Sequence, residues 1–491
     1  MPMTKPAIYP GWNFDNSYAS LPDLFFKRTN PVPVVRPGLA VLNRPLAISL
    51  GLDVGALESE AGAAIFAGNT IPEGAEPLAQ AYAGHQYGRF TMLGDGRAIL
   101  LGEQITPSGA RVDIQLKGSG RTPFSRRGDG RATLGPMLRE YIISEAMHAL
   151  GIPTTRCLAV ATTGEAVARE EMLPGAVLTR VAASHIRVGT FEFIAASEDP
   201  AALRALADYT IRRHYPELAG EPLPYRAFLE AVIDRQAALV TKWLLVGFVH
   251  GVMNTDNMAV SGETIDYGPC AFLDAYDPDT AFSSIDQHGR YAHGHQATIT
   301  QWNLARFAES LIPLLDPDGT KALDTAKEAL ATYAGKFRHH WMSGMRSKLG
   351  LFNAEPGDIT LMEELLSAMQ EEGADYTNTF RALGSGDPRM GSFFSSPLWT
   401  RWNGLWTSRL SRQEQPRQEA QALMRRHSPA FIPRNHKVEE ALEAAVARGD
   451  LSLMGRLLNV LSRPYEDAVE FADYSIPPEG GGRGYQTFCG T

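Results

Sequence analysis

The sequence has few cysteines and no excess of basic residues, and the apolar run in the middle of the chain is short. Its 491 residues include three cysteines, Cys157, Cys270 and Cys489. A number this small and odd does not make a disulfide framework and favours a reducing compartment. The apolar run from Trp243 to Val249 is too short to span a membrane. Because the N-terminus also lacks the apolar segment of a signal peptide, we expect a cytoplasmic protein without a membrane partner.

The charge balance argues against nucleic-acid binding. The formal net charge is −9 and the pI is about 5.8, whereas non-specific nucleic-acid binding needs a basic surface. A local cluster of Arg121, Arg126, Arg127 and Arg131 can still bind a small polyanion. Hydrophobic residues make up 44% of the chain, which is enough for a large core. The sequence does not indicate an oligomeric state.

A loop in the middle of the chain is similar to the catalytic loop of protein kinases. It runs from His250 to Asn257, and the triplet Asp266-Tyr267-Gly268 follows it. Protein kinases use H-x-D-x-x-x-x-N followed by D-F-G. Here Val252 holds the position of the kinase catalytic aspartate. The pattern indicates a kinase-like metal site without the usual base, and therefore either an inactive kinase or a different transfer reaction.

Three polar residues of this region have the chemistry of a phosphoryl-transfer site. Asp266 can hold Mg²⁺ between phosphates, and Asn257 can supply a neutral oxygen ligand to the same ion. Mn²⁺ can replace Mg²⁺ because both ions accept oxygen ligands. Asp256 is a candidate acceptor for the proton of an incoming hydroxyl, in place of the base lost at Val252. The alternative is that Asp256 is a solvated acid of the loop.

The region before this loop has the pattern of a kinase N-lobe. The turn Gly94-Asp95-Gly96 followed by Ala98 to Leu101 predicts a hairpin, and Val112 to Lys117 alternates like a strand. Thr133 to Leu150 predicts a helix that ends at Gly151. Lys117, at the end of its strand, can contact phosphates as the strand lysine of kinases does.

A lysine in that position needs a glutamate from the following helix. Glu145 lies on the apolar stripe of the helix, and a buried acid there requires a partner. Glu140 is the other candidate. The sequence pattern does not separate the two.

These patterns together predict an α+β, kinase-like two-lobed fold with N- and C-terminal extensions. We expect an extension over residues 1–75 that packs on the core, and an N-lobe over 76–188. A mostly helical C-lobe would cover residues 189–435. A helical extension with a mobile tail would cover residues 436–491.

Several motifs carry a resemblance to a known family, and together they are highly specific. The chain resembles the selenoprotein O family over nearly its whole length. The segments that carry the resemblance are Tyr82 to Gln86, Leu93 to Ala98, Gln115 to Arg126, Arg139 to Tyr141, Ser144 to Ala146, Met253 to Met258 and Pro433 to Asn435.

The resemblance implies a protein adenylyltransferase with a kinase-like fold that binds ATP in a flipped orientation. Such an enzyme transfers AMP to Ser, Thr or Tyr hydroxyls of client proteins and releases pyrophosphate. It implies Asp256 as the proton acceptor, and Asn257 and Asp266 as the ligands of Mg²⁺. The residues implied around the nucleotide, besides Asp266, are Gly94, Gly96, Arg97, Lys117, Asp129, Gly130, Arg180 and Arg187.

Two other functions are compatible with the motifs. A conventional kinase would transfer the γ-phosphoryl group, and Val252 argues against it. A non-catalytic nucleotide-binding scaffold would not need Lys117, Asn257 and Asp266 together. The released product separates the three functions: pyrophosphate, ADP or neither.

The C-terminus raises a separate question of redox chemistry. Members of the family carry selenocysteine close to the C-terminus, where this chain has Cys489. A thiol is the poorer nucleophile at neutral pH, which weakens a redox role. One hypothesis is that oxidation joins Cys270 to Cys489, fixes the tail over the site and lowers activity. The alternative is two unrelated thiols.

Overall fold

The computed structural model describes residues 10–385, 392–482 and 484–488. Most strands come from the first 182 residues, and the rest of the chain is mainly helical, which confirms the predicted α+β class. Among the helices in these ranges, none is long and apolar enough to cross a membrane.

One antiparallel sheet dominates the first part of the chain. The elements of this part of the chain are β1 (Phe26–Arg28), β2 (Gly38–Leu42), α1 (Arg44–Ser49), α2 (Val54–Leu57), α3 (Glu60–Phe66), β3 (Leu78–Gln80), β4 (Ala83–Gln86), β5 (Arg89–Met92), β6 (Ala98–Ile105), β7 (Arg111–Lys117), β8 (Ala132–Thr133), α4 (Leu134–Ala149), β9 (Arg156–Ala168) and β10 (Met172–Ala182). The strand order is β1-β3-β6-β7-β10-β9-β2, and β8 pairs with β10. Lys117 and Arg180 therefore lie on the neighbouring strands β7 and β10.

The hairpin predicted at Gly94-Asp95-Gly96 is wrong. Strand β5 pairs with β4 in a separate two-stranded hairpin, whereas β6 pairs with β3 and β7 in the main sheet. The turn therefore links strands of two different sheets, and not two strands that pair with each other. Its backbone is held by Leu93 and Asp95, whose N–H groups donate to the carbonyls of Tyr82 and Gln80 at 2.9 Å each.

Helix α4 confirms the predicted helix to within one residue at each end. Thr133 is its N-cap residue in an extended conformation, and Leu150 ends it. Gly151 follows with a φ of +74°, which a glycine adopts without strain. The apolar stripe of α4 packs against β9 and β10, so that the helix lies across the sheet that carries Lys117 and Arg180.

The second part of the chain is a helical assembly. Its elements are α5 (Val188–Ala195), α6 (Pro200–His214), α7 (Pro224–Leu245), β11 (Phe248–Val249), β12 (Ala271–Phe272), α8 (Gln296–Leu315), α9 (Gly319–Ala331), α10 (Tyr333–Lys348), α11 (Asp358–Glu372), α12 (Tyr376–Ser385), α13 (Pro397–Leu410), α14 (Arg417–His427), α15 (Asn435–Arg448) and α16 (Ser452–Leu461). The long helix α7 ends at Leu245, and the chain then turns at Gly247, with a φ of +72°, into β11.

Strands β11 and β12 hold the kinase-like loop at its two ends. They pair antiparallel through Phe248 with Phe272 and Val249 with Ala271. The segment between them contains both His250 to Asn257 and the Asp266 triplet. The short two-stranded ladder therefore brings the two motifs together.

Candidate active site

A cavity of about 710 Å³ lies between the sheet and the loop that follows β11. All of the site residues predicted from the sequence line this one cavity. They are Gly94, Gly96, Arg97, Lys117, Asp129, Gly130, Arg180, Arg187, Asp256, Asn257 and Asp266.

Three buried cations converge on the carboxylate of Asp266. Its Oδ1 accepts hydrogen bonds from Lys117 Nζ at 2.9 Å and from Arg180 Nη2 at 2.5 Å. Its Oδ2 lies 3.3 Å from Arg187 Nη2. Burial by itself raises the pKa of Asp266, but the cations outweigh it and hold the pKa well below its usual value. Asp266 is therefore ionised at neutral pH.

Glu140, and not Glu145, is the partner of Lys117. Lys117 Nζ lies 2.6 Å from Glu140 Oε2, and Arg180 Nη2 lies 2.6 Å from Glu140 Oε1. Glu145 instead accepts from Nε and Nη2 of Arg156 at 2.7 and 2.5 Å. Helix α4 is thus tied to both cationic strands of the site by a single carboxylate.

The loop that starts at His250 is held by two hydrogen bonds of that residue. The Nε2 atom of His250 is 2.9 Å from the carbonyl oxygen of Ile265, the residue before Asp266. Its backbone N–H donates to Gln296 Oε1 at 3.0 Å. His250 is buried, and this contact joins the start of the loop to the segment that carries Asp266. Val252, at the position of the kinase aspartate, lines the cavity and offers no base.

Asp256 lines the same cavity, and one of its carboxylate oxygens accepts no hydrogen bond from the described residues. Its Oδ1 is buried and has no hydrogen-bond partner among the described residues. Burial raises the pKa of Asp256 to about 6, against the lowering effect of Arg187. A carboxylate with this pKa is ionised at neutral pH and still accepts a proton more readily than an exposed aspartate.

Asn257 and Asp266 have oxygen atoms that fit a divalent cation. The amide nitrogen of Asn257 donates to the carbonyl of Val252 at 2.9 Å, which fixes the side-chain amide, and Asn257 lines the cavity. The Asp266 side chain is 22% exposed, so its carboxylate reaches the cavity. Mg²⁺ needs one or two such groups and completes its shell with phosphates and water. No cluster of three or more His, Cys, Asp or Glu side chains suited to a metal occurs in the part of the chain that the structure describes.

Gly94 is required by its conformation and by its neighbour. Its φ is +112°, and a Cβ at this position would overlap the ring of Phe124. Gly96 lies under the carbonyl of Phe124, 3.1 Å from where its Cβ would be. Both glycines line the cavity, and without side chains they leave room for a phosphate or a ribose to approach the backbone closely.

The loop that contains Asp129 and Gly130 is fixed on the opposite rim. Asp129 forms an ion pair with Arg169 at 2.8 Å, and its Oδ1 accepts the backbone N–H of Arg131 at 2.9 Å. The hydrogen bond from Arg169 is the main cause that lowers the pKa of Asp129. Gly130 has a φ of +72°, and a Cβ there would overlap the backbone of Gly120.

Two residues of the cavity wall were missed by the sequence reasoning as site residues. The guanidinium of Arg187 stacks on the Tyr82 ring, 4.4 Å from its centroid. Asp95 is buried, accepts the N–H of Gln80 at 3.1 Å, and has its pKa raised by burial to about 6. Tyr82 lies within a quoted motif and could have been found. Asp95 looks like an ordinary turn residue in the sequence.

Comparison with known proteins agrees with this geometry. The family model described as "Protein adenylyltransferase SelO" matches residues 11–462. The chain belongs to the SelO family of protein adenylyltransferases. This membership confirms both the predicted family and the predicted enzyme class, a nucleotidyltransferase.

Curated relatives match the SelO chain over almost its full length. A protein named "Protein nucleotidyltransferase YdiU" from Brevibacillus brevis is 62% identical over 487 residues, 99% of each chain. Proteins of the same name from Syntrophotalea carbinolica and Alkaliphilus metalliredigens are 61% and 59% identical. They cover 98% and 100% of this chain and the same shares of their own.

The hypothesis of a disulfide between Cys270 and Cys489, and the alternative of two unrelated thiols, both stay open. Cys270 is buried, forms no disulfide with a described residue, and has its pKa raised by burial to about 12. Cys489 lies outside the described residues. The last described segment does approach Cys270, because Thr487 Oγ1 donates to the carbonyl of Pro269 at 2.8 Å.

Proposed function

We propose that the protein transfers AMP from ATP to a Ser, Thr or Tyr hydroxyl of client proteins and releases pyrophosphate. One observation carries the proposal: three buried cations and a carboxylate whose pKa burial raises to about 6 line the same cavity. Lys117, Arg180 and Arg187 suit a polyphosphate, and Asp256 suits the proton of an acceptor hydroxyl. Family membership supports this reaction class.

The nucleotide would be held by the residues that line the cavity. Gly94, Gly96 and Gly130 let the backbone approach it, and Arg97 and Asp129 offer charged or polar contacts. A flipped nucleotide presents its α-phosphorus to the acceptor, so that the β- and γ-phosphates require the cations. This orientation is part of the proposal.

Asn257 and Asp266 would hold a divalent cation, Mg²⁺ or Mn²⁺, on the cavity side of the loop. When bound there, the ion would neutralise phosphate charge and help to align the phosphates with the acceptor. The place of Asn257 in the cavity wall and the partly exposed carboxylate of Asp266 support this assignment.

The proposed step balances as an in-line displacement. Asp256 accepts the proton of the acceptor hydroxyl, and the oxygen of that hydroxyl forms a bond to the α-phosphorus. The bond from the α-phosphorus to the bridging oxygen of the β-phosphate breaks, and pyrophosphate leaves with the electron pair. Lys117, Arg180 and Arg187 stabilise the charge that develops on the leaving group.

A conventional kinase reaction is less well supported. In a kinase the aspartate two residues after the histidine receives the substrate proton, and here Val252 occupies that place in the cavity wall. A scaffold is disfavoured by the intact set of Lys117, Asn257 and Asp266. Both alternatives predict a different fate for the labelled phosphates of ATP.

The test uses ATP labelled at either the α- or the γ-phosphate. Each is incubated with the purified protein, Mg²⁺ and a cell lysate, beside the variants Asp256→Asn and Asp266→Ala. Asp324→Asn, an exposed change on α9, is the matched control. We expect protein labelling from the α-label alone, lost in the two site variants and kept in the control. Labelling from the γ-label alone would establish a kinase, and labelling from neither with intact ATP binding would establish a scaffold.

The proposal also includes the partners, the compartment and the division of the chain into lobes and extensions. The partners are client proteins, in a cytoplasmic setting that the few cysteines favour. The chain divides into an extension at 1–75, an N-lobe at 76–188, a C-lobe at 189–435 and a C-terminal extension at 436–491.

A further inference from the structure

Three residues form a closed ring of hydrogen bonds beside Asp256, through their side chains and one backbone N–H group. The hydroxyl of Thr255 donates to Glu192 Oε2 at 2.5 Å, and Glu192 Oε1 lies 2.5 Å from His85 Nδ1. The backbone N–H of His85 donates to Thr255 Oγ1 at 2.7 Å and closes the ring. The ring joins three separate elements, which are strand β4, helix α5 and the loop that carries Asp256.

Among the described residues, none holds the Asp256 carboxylate in place by a hydrogen bond to Oδ1. That atom is buried and has no hydrogen-bond partner among the described residues. Its position therefore depends on its neighbours. Gly84 packs so closely that a Cβ there would overlap Oδ1 of Asp256, and Gly189 lies between Ala83 and the Asp256 backbone.

A second contact, from the turn that joins β4 to β5, supports the loop one residue before Thr255. The N–H of Tyr87 donates to Asn254 Oδ1 at 3.0 Å, and the hydroxyl of Tyr291 donates to the same oxygen at 2.6 Å. Strand β4 and the turn after it thus hold two successive residues of the loop through backbone N–H groups. The hairpin of β4 and β5 acts as a support for Asp256.

The ring members are not suited to be the base themselves. Both carboxylate oxygens of Glu192 are engaged by His85 and Thr255. None of the three ring residues lines the cavity. His85 also packs edge-on against Phe90 and Trp302, with ring centroids 5.4 and 5.3 Å apart, which fixes its imidazole.

We propose that His85, Glu192 and Thr255 are positioning residues that hold Asp256 at the distance from the acceptor hydroxyl that transfer requires. The inference rests on the proposed function, because it assigns Asp256 as the base. It predicts that breaking the ring slows the chemical step and leaves nucleotide binding intact. A displacement of about 1 Å at a catalytic group can cost about 100-fold in rate.

The test compares Thr255→Val, which removes the hydroxyl at nearly constant volume, with Thr255→Ser, which keeps it. Glu192→Gln breaks the ring at a second point. Thr210→Val is the matched control, since Thr210 is also fully buried and its hydroxyl donates only to a helix carbonyl, that of Leu206. Initial rates of α-label transfer to a fixed lysate are measured at saturating ATP, together with the apparent KM for ATP and the melting temperature.

We expect Thr255→Val and Glu192→Gln to lower the saturated rate by about 10- to 100-fold, with the apparent KM within about twofold of wild type. Thr255→Ser should recover most of the rate, and Thr210→Val should behave as wild type. If Thr255→Val transfers AMP as fast as wild type, the proposed positioning role of the ring is wrong. It is also wrong if the rate lost in Thr255→Val is not restored in Thr255→Ser. If wild type transfers neither label, the proposed function falls and the ring's role falls with it, whereas an active wild type leaves only the ring in question.

Discussion

Arg180 and Asp266 form a buried ion pair at the centre of the site, with Nη2 of the arginine 2.5 Å from Oδ1 of the aspartate. The same guanidinium nitrogen lies 2.6 Å from Glu140 Oε1. Without a nucleotide, Asp266 occupies the cations that the phosphates would need. Phosphate binding and the carboxylate of Asp266 therefore compete unless a divalent cation neutralises that carboxylate.

This competition predicts opposite effects of Asp266→Asn on binding and on transfer. Without divalent metal, the variant should bind ATP about tenfold more tightly, because Lys117, Arg180 and Arg187 are released from a negative charge. With Mg²⁺ its AMP transfer should fall by more than about 100-fold, since a metal ligand is lost. Calorimetry in EDTA and the α-label assay measure the two effects, with Asp324→Asn as the control. Weaker metal-free binding by the variant would refute the competition.

The two glutamates of α4 should differ sharply when each is neutralised. Glu140→Gln leaves Lys117 and Arg180 without their buried partner and should cost about 3–5 kcal/mol of unfolding free energy, with loss of transfer. Glu145→Gln alters a partly exposed pair with Arg156 and should cost about 1 kcal/mol or less, with activity retained. Urea denaturation and the α-label assay on both variants test this difference. Equal loss of transfer in the two would contradict the assignment.

Local patterns were sufficient for the parts of the site that depend on chain neighbours. The end of β7 at Lys117, the limits of α4 and the spacing from His250 to Asn257 are set by alternation, capping and turn chemistry within a few residues. These features appear in the structure as expected. Family motifs then supplied the residues for which no local pattern existed, such as Arg187.

Features that depend on tertiary contacts could not be predicted from local sequence patterns. The choice of Glu140 over Glu145 follows from where β9 places Arg156 and where β10 places Arg180. The turn at Gly94 has hairpin chemistry, but turn residues do not specify which strand the chain joins next. Glu192 stands in an ordinary helix, and only packing brings it to Thr255.

A buried lysine far from the motifs should lower stability near neutral pH. Lys348 lies in the core, where its Nζ donates to the carbonyl of Leu245 at 2.7 Å and lies 4.2 Å from the centroid of the Phe380 ring. Burial lowers the pKa of Lys348 to about 7 from an ordinary value of 10.5. Between these two values the unfolded chain binds a proton that the folded chain does not, so this group favours unfolding increasingly as pH falls from 10.5 to 7.

Lys348→Met should therefore stabilise the protein, by on the order of 3 kcal/mol at pH 7 after the loss of one hydrogen bond. The gain should shrink as pH rises towards 10, because the cost of keeping the wild-type amine unprotonated in the folded state falls as pH approaches the ordinary pKa of 10.5. Urea denaturation of both proteins at pH 7, 8.5 and 10 gives the difference, in which other titrating groups cancel. A gain that does not change with pH would mean that packing and not charge is responsible.

The last prediction concerns Gly84, whose bare backbone lies against the base. A Cβ at this position would overlap the carboxylate of Asp256, so Gly84→Ala must displace either strand β4 or the loop. We expect transfer to fall by about 100-fold with little change in ATP affinity, because the methyl group reaches Asp256 and not the phosphate cations. Gly335→Ala on α10, where a Cβ meets nothing within 4 Å, is the matched control and should be neutral or stabilising by about 1 kcal/mol. If Gly84→Ala transfers AMP at the wild-type rate, the packing of β4 against Asp256 does not position the base.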